Sequence, residues 1–294
     1  MPLSDPTSAR AVQLHAVHPD GPVPLSVPGG VDDVNEAFDA VTLGVYEGLR
    51  TFDHVRFLGL DEHLDRAQRG MVRLGWDFEL DRDALRRALH EVVSAYPLPD
   101  ARVRFDILAA PATQLGTSSR TLIALSPFVP VPTELMERGV TVQLVDDLRR
   151  TRPLIKEANF VLARRAYPAG AREAYEPIMV DEAGRILEGT SSNFFAVKDG
   201  ALHSAGTGVL EGITRQFLVR LARENGLRVV EQAVRKSELE HLEEAFLASS
   251  IRSVVPIVRI DGVVIGSGAP GPVTKRLLAS YMRFATREAR PAVG

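Results

Sequence analysis

Hydrophobic and polar positions follow two different periods along this chain, and each period predicts its own kind of element. Apolar residues recur at helical spacing in residues 61–76 and 81–96, with acidic residues near the start of each segment, so both segments are predicted to be amphipathic helices. Runs rich in β-branched and aromatic residues, bounded by turn residues, predict strands. These runs are residues 41–52, 55–60, 101–110 and 119–128. The first half of the chain is therefore predicted to mix strands and helices.

Two β-hairpins are predicted in the second half of the chain. Residues 176–189 turn at Glu182-Ala183-Gly184, and residues 193–205 turn at Asp199-Gly200, a dipeptide that favours a two-residue hairpin turn. The same periodicities predict helices over residues 214–225 and 273–285 and a strand over residues 245–250.

The order of these elements indicates a protein in two parts. We expect the α/β (α+β) class, with one domain over residues 1–135, an interdomain linker region over 136–147 and a second domain over 148–294. A length of 294 residues provides ample core for either one large or two modest domains.

Composition narrows the functional classes. An apolar fraction of 45%, a charged fraction of 25% and a net charge of −3 give no reason to expect nucleic acid or a membrane surface as a partner. The first residues lack the layout of a secretory signal, and no apolar run is long enough to cross a membrane. The chain has no cysteine, which excludes disulfides and thiolate ligands, and no metal site is expected. We expect a cytoplasmic protein.

Lys156 is the first candidate for chemistry. Lysine and arginine together number 35, yet only four of them are lysines, and the first lies in the largely apolar segment "LIKEANFVLARRA" at residues 154–166. Arginine binds anions well but does not readily lose a proton, whereas a partly desolvated lysine offers a neutral amine that attacks a carbonyl carbon. The alternative is a lysine whose amine simply reaches solvent.

Glu188 is the second candidate, since it ends a strand that is otherwise apolar. A carboxylate in such a place requires a cationic or hydrogen-bonding partner. Gly189 and the small residues 190–192 that follow allow the backbone to approach a flat ligand closely. A strand that ends in a solvated glutamate is the simpler alternative.

Three further features are suited to a phosphate. Thr214 is predicted to be the N-cap of a helix, and the unpaired N–H groups at a helix start attract anions. The hydroxyl pair Ser249-Ser250 follows a predicted strand and offers further donors. Arg66 is predicted to lie on the inner side of its helix, where it either binds a phosphate through two donors or forms an ion pair with Glu62.

Together these residues resemble the class IV pyridoxal-phosphate enzymes, which include branched-chain aminotransferases, D-amino acid aminotransferases and aminodeoxychorismate lyases. The resemblance extends over residues 41–285 and depends on motifs that follow one another in family order. These motifs are "GVYEGLRTF", "EHLDR", the K-x-x-N of Lys156–Asn159, "YEPIMVDEAGRILEGTSSNFF", "EGITR" and the "SS…P" loop at 249–256. The resemblance implies the two-domain fold type IV architecture of the D-amino acid aminotransferase kind, with a smaller N-terminal and a larger C-terminal domain, in a homodimer.

The resemblance also implies roles for individual residues. Lys156 would be the catalytic residue, which holds pyridoxal 5′-phosphate through its amine and moves a proton, and Glu188 would keep the pyridine nitrogen protonated. The phosphate would be bound by Arg66, Ile213, Thr214 and Ser250. Substrate would be bound by Tyr46, Arg50, Arg104, Ile251 and Arg252.

Substrate specificity is left open at this point. Branched-chain aminotransferases resemble this chain at Arg50 and Arg104, but their usual tyrosine after the lysine motif is Phe160 here. D-amino acid aminotransferases resemble it in the second half, but their carboxylate-binding arginine is replaced by Ala109. We favour an aminotransferase for L-branched-chain or similar aliphatic amino acids and 2-oxo acids. The alternatives are a D-amino acid aminotransferase, a lyase of the aminodeoxychorismate type, and a non-catalytic metabolite-binding protein.

Overall fold

The chain passes several times between two compact units. The structure is a computed structural model that describes residues 12–27, 33–39, 41, 44–167 and 174–294. The first unit comprises Met1–Val129, Ile155–Val161 and Thr286–Gly294, and the second comprises Pro130–Leu154 and Leu162–Ala285. The segment that carries Lys156 thus belongs to the first unit. The predicted domains, residues 1–135 and 148–294 with a linker region at 136–147, stay a prediction.

Sixteen strands and six α-helices are assigned within the described residues. The strands are β1 (Gln13–His18), β2 (Gly21–Leu25), β3 (Gly44–Phe52), β4 (Arg56–Phe57), β5 (Ala101–Leu108), β6 (Thr121–Pro127), β7 (Val140–Val145), β8 (Pro177–Val180), β9 (Ile186–Gly189), β10 (Asn193–Lys198), β11 (Ala201–His203), β12 (Val229–Val230), β13 (Glu244–Ser249), β14 (Ser253–Ile260), β15 (Val263–Val264) and β16 (Arg290–Pro291). The helices are α1 (Leu60–Arg73), α2 (Arg82–Ser94), α3 (Thr133–Arg138), α4 (Asn159–Ala163), α5 (Ile213–Glu224) and α6 (Pro272–Glu288). This mixture confirms the α/β (α+β) class.

The first unit is built on a seven-stranded sheet in the order β16-β4-β3-β5-β6-β1-β2. All of its strand pairs are antiparallel. Successive residues of β5 point to opposite faces. Val103, Phe105 and Ile107 are fully buried in one cluster with α1 and α2, while Leu108 is buried in a second cluster with Phe38. Because both faces are covered, polar side chains in the middle of this sheet, such as Glu47, Arg104 and Asp106, are buried.

The predicted helices of the first unit are confirmed, and their apolar periodicity is the reason. Leu64, Ala67 and Met71 of α1 recur at helical spacing and are at most 2% exposed. α2 begins after Asp81, whose carboxylate accepts a hydrogen bond from the Ala84 N–H at 2.8 Å. Such an N-cap satisfies one of the free N–H groups at a helix start.

The predicted hairpins are also confirmed. β8 and β9 pair antiparallel on either side of Glu182-Ala183-Gly184, where Gly184 has a φ of 73°. Asp199 and Gly200, between β10 and β11, have φ values of 50° and 64°. Positive φ at both central positions matches the right-handed twist of the strands, and Asp and Gly tolerate it at low cost. Residues 42 and 43 of the predicted strand 41–52 lie outside the described residues.

The second unit contains a nine-stranded sheet in the order β12-β11-β10-β13-β14-β7-β8-β9, with β15 on β14. β7 runs parallel to both β14 and β8, and the other pairs along the central strands are antiparallel. β9 also pairs with β10, where Asn193 is opposite Glu188, so six strands close into a ring. Closure removes free strand edges and fixes where each strand ends.

The pairs β1–β2 and β14–β15 were not predicted from the sequence. Pro22 and Pro24 interrupt β2, which lies at the edge of its sheet, and Pro256 lies within β14. Proline weakens the local strand signal, because it cannot donate to a neighbouring strand.

Candidate functional site

Lys156 is fixed by a short bridge to the start of β3. The Tyr46 N–H donates to the Lys156 carbonyl oxygen at 3.0 Å, and the Ala158 N–H donates to the Gly44 carbonyl oxygen at 2.8 Å. The lysine Nζ lies 4.8 Å from the centroid of the Tyr46 ring. The side chain is half-buried. The amine is therefore held against an aromatic ring, and the backbone on both sides of it is hydrogen-bonded.

Glu47, the residue after Tyr46, points to the opposite face of β3 and forms a buried cluster with two residues of α1. The Arg66 Nε donates to Glu47 Oε1 at 2.9 Å, and the His63 Nδ1 lies 2.7 Å from Glu47 Oε2. Glu47, His63 and Arg66 are at most 4% exposed. Burial raises the pKa of Glu47, but the Arg66 and His63 charges and hydrogen bonds outweigh it and lower the pKa to about 2. Glu47 is thus a permanent anion.

The environment of His63 favours its neutral ring, whereas Glu47 beside it is charged. Burial lowers the pKa of His63 more than the adjacent Glu47 raises it. A neutral ring can still donate its Nδ1 proton to the carboxylate. Sequence reasoning missed both His63 and Glu47, although His63 precedes Arg66 by three residues and therefore shares its helix face. Arg66, predicted to bind phosphate or pair with Glu62, has Glu47 as its ion-pair partner within the described residues.

The predicted substrate residues Tyr46, Arg50 and Arg104 lie on one face of the first sheet. In the β3–β5 register, Tyr46 is opposite Asp106, and Gly48 is opposite Arg104. Alternate residues of neighbouring strands share a face, so these side chains form one polar row. The Arg50 guanidinium carbon lies 4.1 Å and 4.4 Å from the centroids of two phenylalanine rings, Phe52 and Phe128. The structure therefore brings this part of the predicted site together.

In the second unit, Glu188 lies at the end of β9 and is 2% exposed. Its Oε1 accepts a hydrogen bond from the Arg150 Nε at 2.8 Å, and both carboxylate oxygens lie 3.2 Å from the Leu210 N–H. The Asn193 Nδ2 donates to Glu188 Oε2 at 3.2 Å and to the Leu210 carbonyl oxygen at 3.0 Å. These donors stabilise an ionised carboxylate. Arg150 was missed from the sequence because it is 38 residues away.

The predicted phosphate residues Ile213, Thr214 and Ser250 also come together within this unit. α5 begins at Ile213, and the Gln216 N–H donates to the Gly212 carbonyl oxygen at 3.0 Å. The Thr214 Oγ1 lies 3.2 Å from Ser250 Oγ. Hydroxyls and main-chain N–H groups at the start of a 12-residue helix are suited to an anion.

The prediction that Thr214 is the N-cap of this helix is wrong. The N-cap is Gly212, two residues earlier, with no side-chain cap. A Cβ at Gly212 would collide with the Asn193 amide, so the helix start packs directly on Asn193. The Thr214 hydroxyl instead lies near Ser250 and 3.4 Å from the Tyr281 hydroxyl. Tyr281 was not a candidate from the sequence, because it lies on α6, 67 residues after Thr214, and no local pattern indicates their contact.

Ile251 and Arg252 form the tight turn between β13 and β14, where Ser249 pairs with Ser253. The Arg252 Nη2 donates to Glu176 Oε2 at 2.7 Å and to Ser191 Oγ at 2.8 Å. Burial raises the pKa of Glu176, but the Arg252 charge and the hydrogen bonds from Ser191 lower it overall. Arg252 is thus tied to an internal carboxylate rather than exposed to solvent on all sides.

The part of the chain that the structure describes contains neither a metal-binding cluster nor a membrane-spanning helix. No cluster of three or more His, Cys, Asp or Glu side chains could hold a metal ion there. None of the helices in those residues combines the length and the apolar character needed to span a bilayer.

Comparison with known proteins identifies the family. Residues 44–260 match the family described as amino-transferase class IV. A D-alanine aminotransferase of Bacillus licheniformis is 33% identical over 244 residues, which are 80% of this chain and 84% of that protein. A putative branched-chain-amino-acid aminotransferase of Methanocaldococcus jannaschii is 31% identical over 259 residues, which are 83% of this chain and 88% of that protein.

The fold agrees with this match. The crystal structure of a putative branched-chain amino acid aminotransferase from Thermotoga maritima superposes with a TM-score of 0.75 at 26% identity, over 94% of this chain and 96% of that one. This superposition confirms the expected fold type IV architecture. The expected cofactor is confirmed by the family match and by similar structures that contain pyridoxamine 5′-phosphate or a phosphopyridoxyl compound. The chain belongs to the class IV aminotransferases, a family of pyridoxal-phosphate-dependent enzymes.

Proposed function

We propose that this enzyme transfers the amino group between an L-branched-chain or similar aliphatic amino acid and a 2-oxo acid in two half-reactions. The observation that carries the proposal is the row of Tyr46, Arg50 and Arg104 on the sheet face where Tyr46 contacts the Lys156 amine. The aromatic rings suit an apolar side chain, and Arg50 suits the carboxylate that every 2-oxo acid carries, whereas Arg104 lines the same face with its guanidinium paired to Asp106.

The residues present fit the cofactor. A phosphate needs several donors, which the start of α5 and the hydroxyls of Thr214 and Ser250 supply. A protonated pyridine nitrogen needs an anion, which the buried Glu188 supplies. A carbonyl carbon needs an amine, and Lys156 supplies it. Arg66 would add a cation for the phosphate, with its guanidinium oriented by Glu47.

Pyridoxal phosphate would supply an electron sink for the electron pair that remains when a proton leaves the substrate Cα. Lys156 Nζ would accept that proton and return it at a different carbon. Glu188 would keep a proton on the ring nitrogen, and the hydrogen bonds from Arg150, Asn193 and the Leu210 N–H would keep Glu188 ionised and in place. Tyr46 would confine the lysine amine, since its ring contacts Nζ.

A D-amino acid substrate is the second candidate. It is supported by the D-alanine aminotransferase relative, whose identity of 33% is similar to the 31% of the branched-chain relative. The homodimer and the cytoplasmic location stay predictions.

Titration of the holoenzyme with L-leucine and D-alanine, in separate samples, tests the proposal. We expect L-leucine to bleach the visible absorbance band of the bound cofactor faster than D-alanine does, and a 2-oxo acid to restore the band. Lys156→Ala should abolish the reaction, because it removes the amine that would hold the cofactor and move the proton, whereas the exposed Lys275→Ala should react like the wild type. Bleaching by D-alanine alone would select the second candidate, and a band that no amino acid bleaches would overturn the proposal.

A further inference from the structure

Arg104, one of the predicted substrate residues, already holds a carboxylate of its own chain. Its Nε donates to Asp106 Oδ2 and its Nη2 donates to Asp106 Oδ1, each at 2.7 Å. The two residues are neighbours on one face of β5, since side chains two residues apart in a strand point the same way. Asp106 is 0% exposed and Arg104 is 3% exposed. The guanidinium edge formed by Nε and Nη2 is therefore fully occupied.

The remaining surfaces of the Arg104 guanidinium are enclosed as well. Its carbon lies 4.3 Å from the centroid of the Phe38 ring and 4.5 Å from that of the Tyr46 ring. Its Nη1 donates to Asn35 Oδ1 at 2.8 Å. Burial lowers the pKa of Arg104, but the Asp106 charge raises it further, so the guanidinium stays charged. Burial raises the pKa of Asp106 more than the Arg104 charge lowers it, but two hydrogen bonds of 2.7 Å from a charged guanidinium favour the ionised carboxylate, and the geometry therefore indicates an ion pair. The pair is thus a preorganised ion pair that has already been desolvated.

The pair also borders the reacting region. The Tyr46 ring that stacks on Arg104 is the ring that contacts the Lys156 amine. In the proposed function, the substrate is attached next to this amine, so this sheet face would border the space that the substrate side chain occupies. A second carboxylate of a substrate would have to displace Asp106 from Arg104 and lose its own hydration.

We propose that Asp106 is a specificity-determining residue: its carboxylate occupies the Arg104 guanidinium edge and so prevents Arg104 from binding the distal carboxylate of a dicarboxylic substrate. This inference rests on the proposed function and assigns its substrate preference to one residue. Without the Asp106 charge, Arg104 keeps its positive charge in an enclosed site, where an incoming carboxylate is its best partner.

The test is Asp106→Asn in the holoenzyme, converted to its pyridoxamine form and mixed with 2-oxoglutarate or with 2-oxohexanoate, a monocarboxylic acid of similar length. The asparagine Nδ2 cannot accept a hydrogen bond, so one of the two bonds to Arg104 is lost. We expect the ratio of kcat/KM for 2-oxoglutarate to kcat/KM for 2-oxohexanoate to rise about tenfold, the size expected for a charged hydrogen bond. A folded variant with an unchanged ratio would overturn the inference.

Asp53→Asn is the matched control, since Asp53 pairs with Arg56 at an exposed turn and its positive φ suits asparagine. Its ratio should equal that of the wild type. If Asp106→Asn does not fold, the double variant Arg104→Met/Asp106→Leu tests the inference instead. It removes both buried charges together and so leaves neither without a partner. A ratio within about threefold of the wild-type ratio is expected, since neither group binds substrate carboxylate in the wild type.

A fall of about tenfold or more in kcat/KM for both acids in the double variant would show that Arg104 binds the carboxylate common to both, and would overturn the inference. Failure of the inference is distinguishable from failure of the proposed function. Reaction with both acids at unaltered selectivity defeats only the inference, whereas no reaction of the wild-type pyridoxamine form with any 2-oxo acid defeats the proposed function.

Discussion

At the scale of single residues, the recurring feature is an arginine that is balanced by an internal carboxylate. Arg66 pairs with Glu47, Arg104 with Asp106 and Arg252 with Glu176, and all three carboxylates are at most 2% exposed. A buried guanidinium requires such a partner, because an isolated charge away from water costs several kcal/mol. Sequence reasoning assigned these arginines to anions of cofactor or substrate. The structure adds that each is already compensated by its own chain.

Glu47→Gln should therefore destabilise the protein strongly. The substitution leaves Arg66 buried without its anion, a change that typically costs about 3–5 kcal/mol. Because the pKa of Glu47 is lowered from 4.5 to about 2, its stabilisation is present above pH 4.5 and is lost only as the pH falls through about 2. The loss on substitution should thus be constant between about pH 5 and 8, as measured by urea unfolding.

Glu134→Gln provides the comparison, since Glu134 and Arg138 form an exposed ion pair four residues apart on α3. Its effect should stay below about 1 kcal/mol. An equal effect of the two substitutions would show that burial of the Glu47 cluster is not what makes it stabilising.

At the scale of elements, the start of α5 and the end of β9 are joined by one side chain. Asn193 of β10 contacts Glu188, the Leu210 carbonyl oxygen and the place where a Gly212 side chain would lie. The helix start that would bind the phosphate and the carboxylate that would bind the ring nitrogen are thus positioned by the same amide. Glycine at 212 is required for this close approach, since its φ of −65° is ordinary for any residue.

Gly212→Ala should accordingly weaken cofactor binding as well as stability. The added methyl group displaces the Asn193 amide, and such overpacking typically costs about 1–3 kcal/mol. Thermal unfolding and titration of the apoenzyme with pyridoxal phosphate measure the two effects. In an Asn193→Ala background the same substitution should cost much less, because the colliding amide is gone. Costs that simply add would contradict the proposed contact.

At the scale of the whole molecule, the C-terminal segment Thr286–Gly294 belongs to the first unit, although most of α6, which leads into it, belongs to the second. β16 pairs with β4, and Ala289 and Ala292 are at most 1% exposed. The Arg56 Nε donates to the Ala289 carbonyl oxygen at 2.9 Å, and the Arg86 Nη1 donates to the Ala292 carbonyl oxygen at 3.0 Å. The last residues therefore complete the edge and the core of the first sheet.

Removal of residues 289–294 should lower stability by about 2–4 kcal/mol, since it deletes buried apolar area and hydrogen bonds to charged donors. Differential scanning calorimetry would show this as a lower Tm. Removal of residues 293–294 alone, which lie beyond Ala292, should leave the Tm unchanged. Equal Tm values for both truncated proteins and the wild type would contradict a stabilising role of this segment.

Much of the fold was accessible from the sequence because its signals are local. The period of apolar residues predicted α1, α2, α5 and α6, and the Asp199-Gly200 dipeptide predicted its hairpin, since both signals act over a few residues. The rarity of lysine singled out Lys156, and an acidic residue at the end of an apolar strand singled out Glu188. The pairing of Arg104 with Asp106 could also have been predicted from the sequence, because side chains two residues apart in a strand point to the same face. It was not recognised.

Tertiary structure alone decided which groups meet. Arg150 reaches Glu188, Arg252 reaches Glu176 and Thr214 reaches Tyr281 across 38, 76 and 67 residues of chain. No local period encodes such partners, because they depend on strand register and on where each strand ends. The sequence by itself determined the elements and the chemistry-bearing residue types. The fold decided which of their charges are compensated within the chain, since burial makes an internal counter-ion necessary.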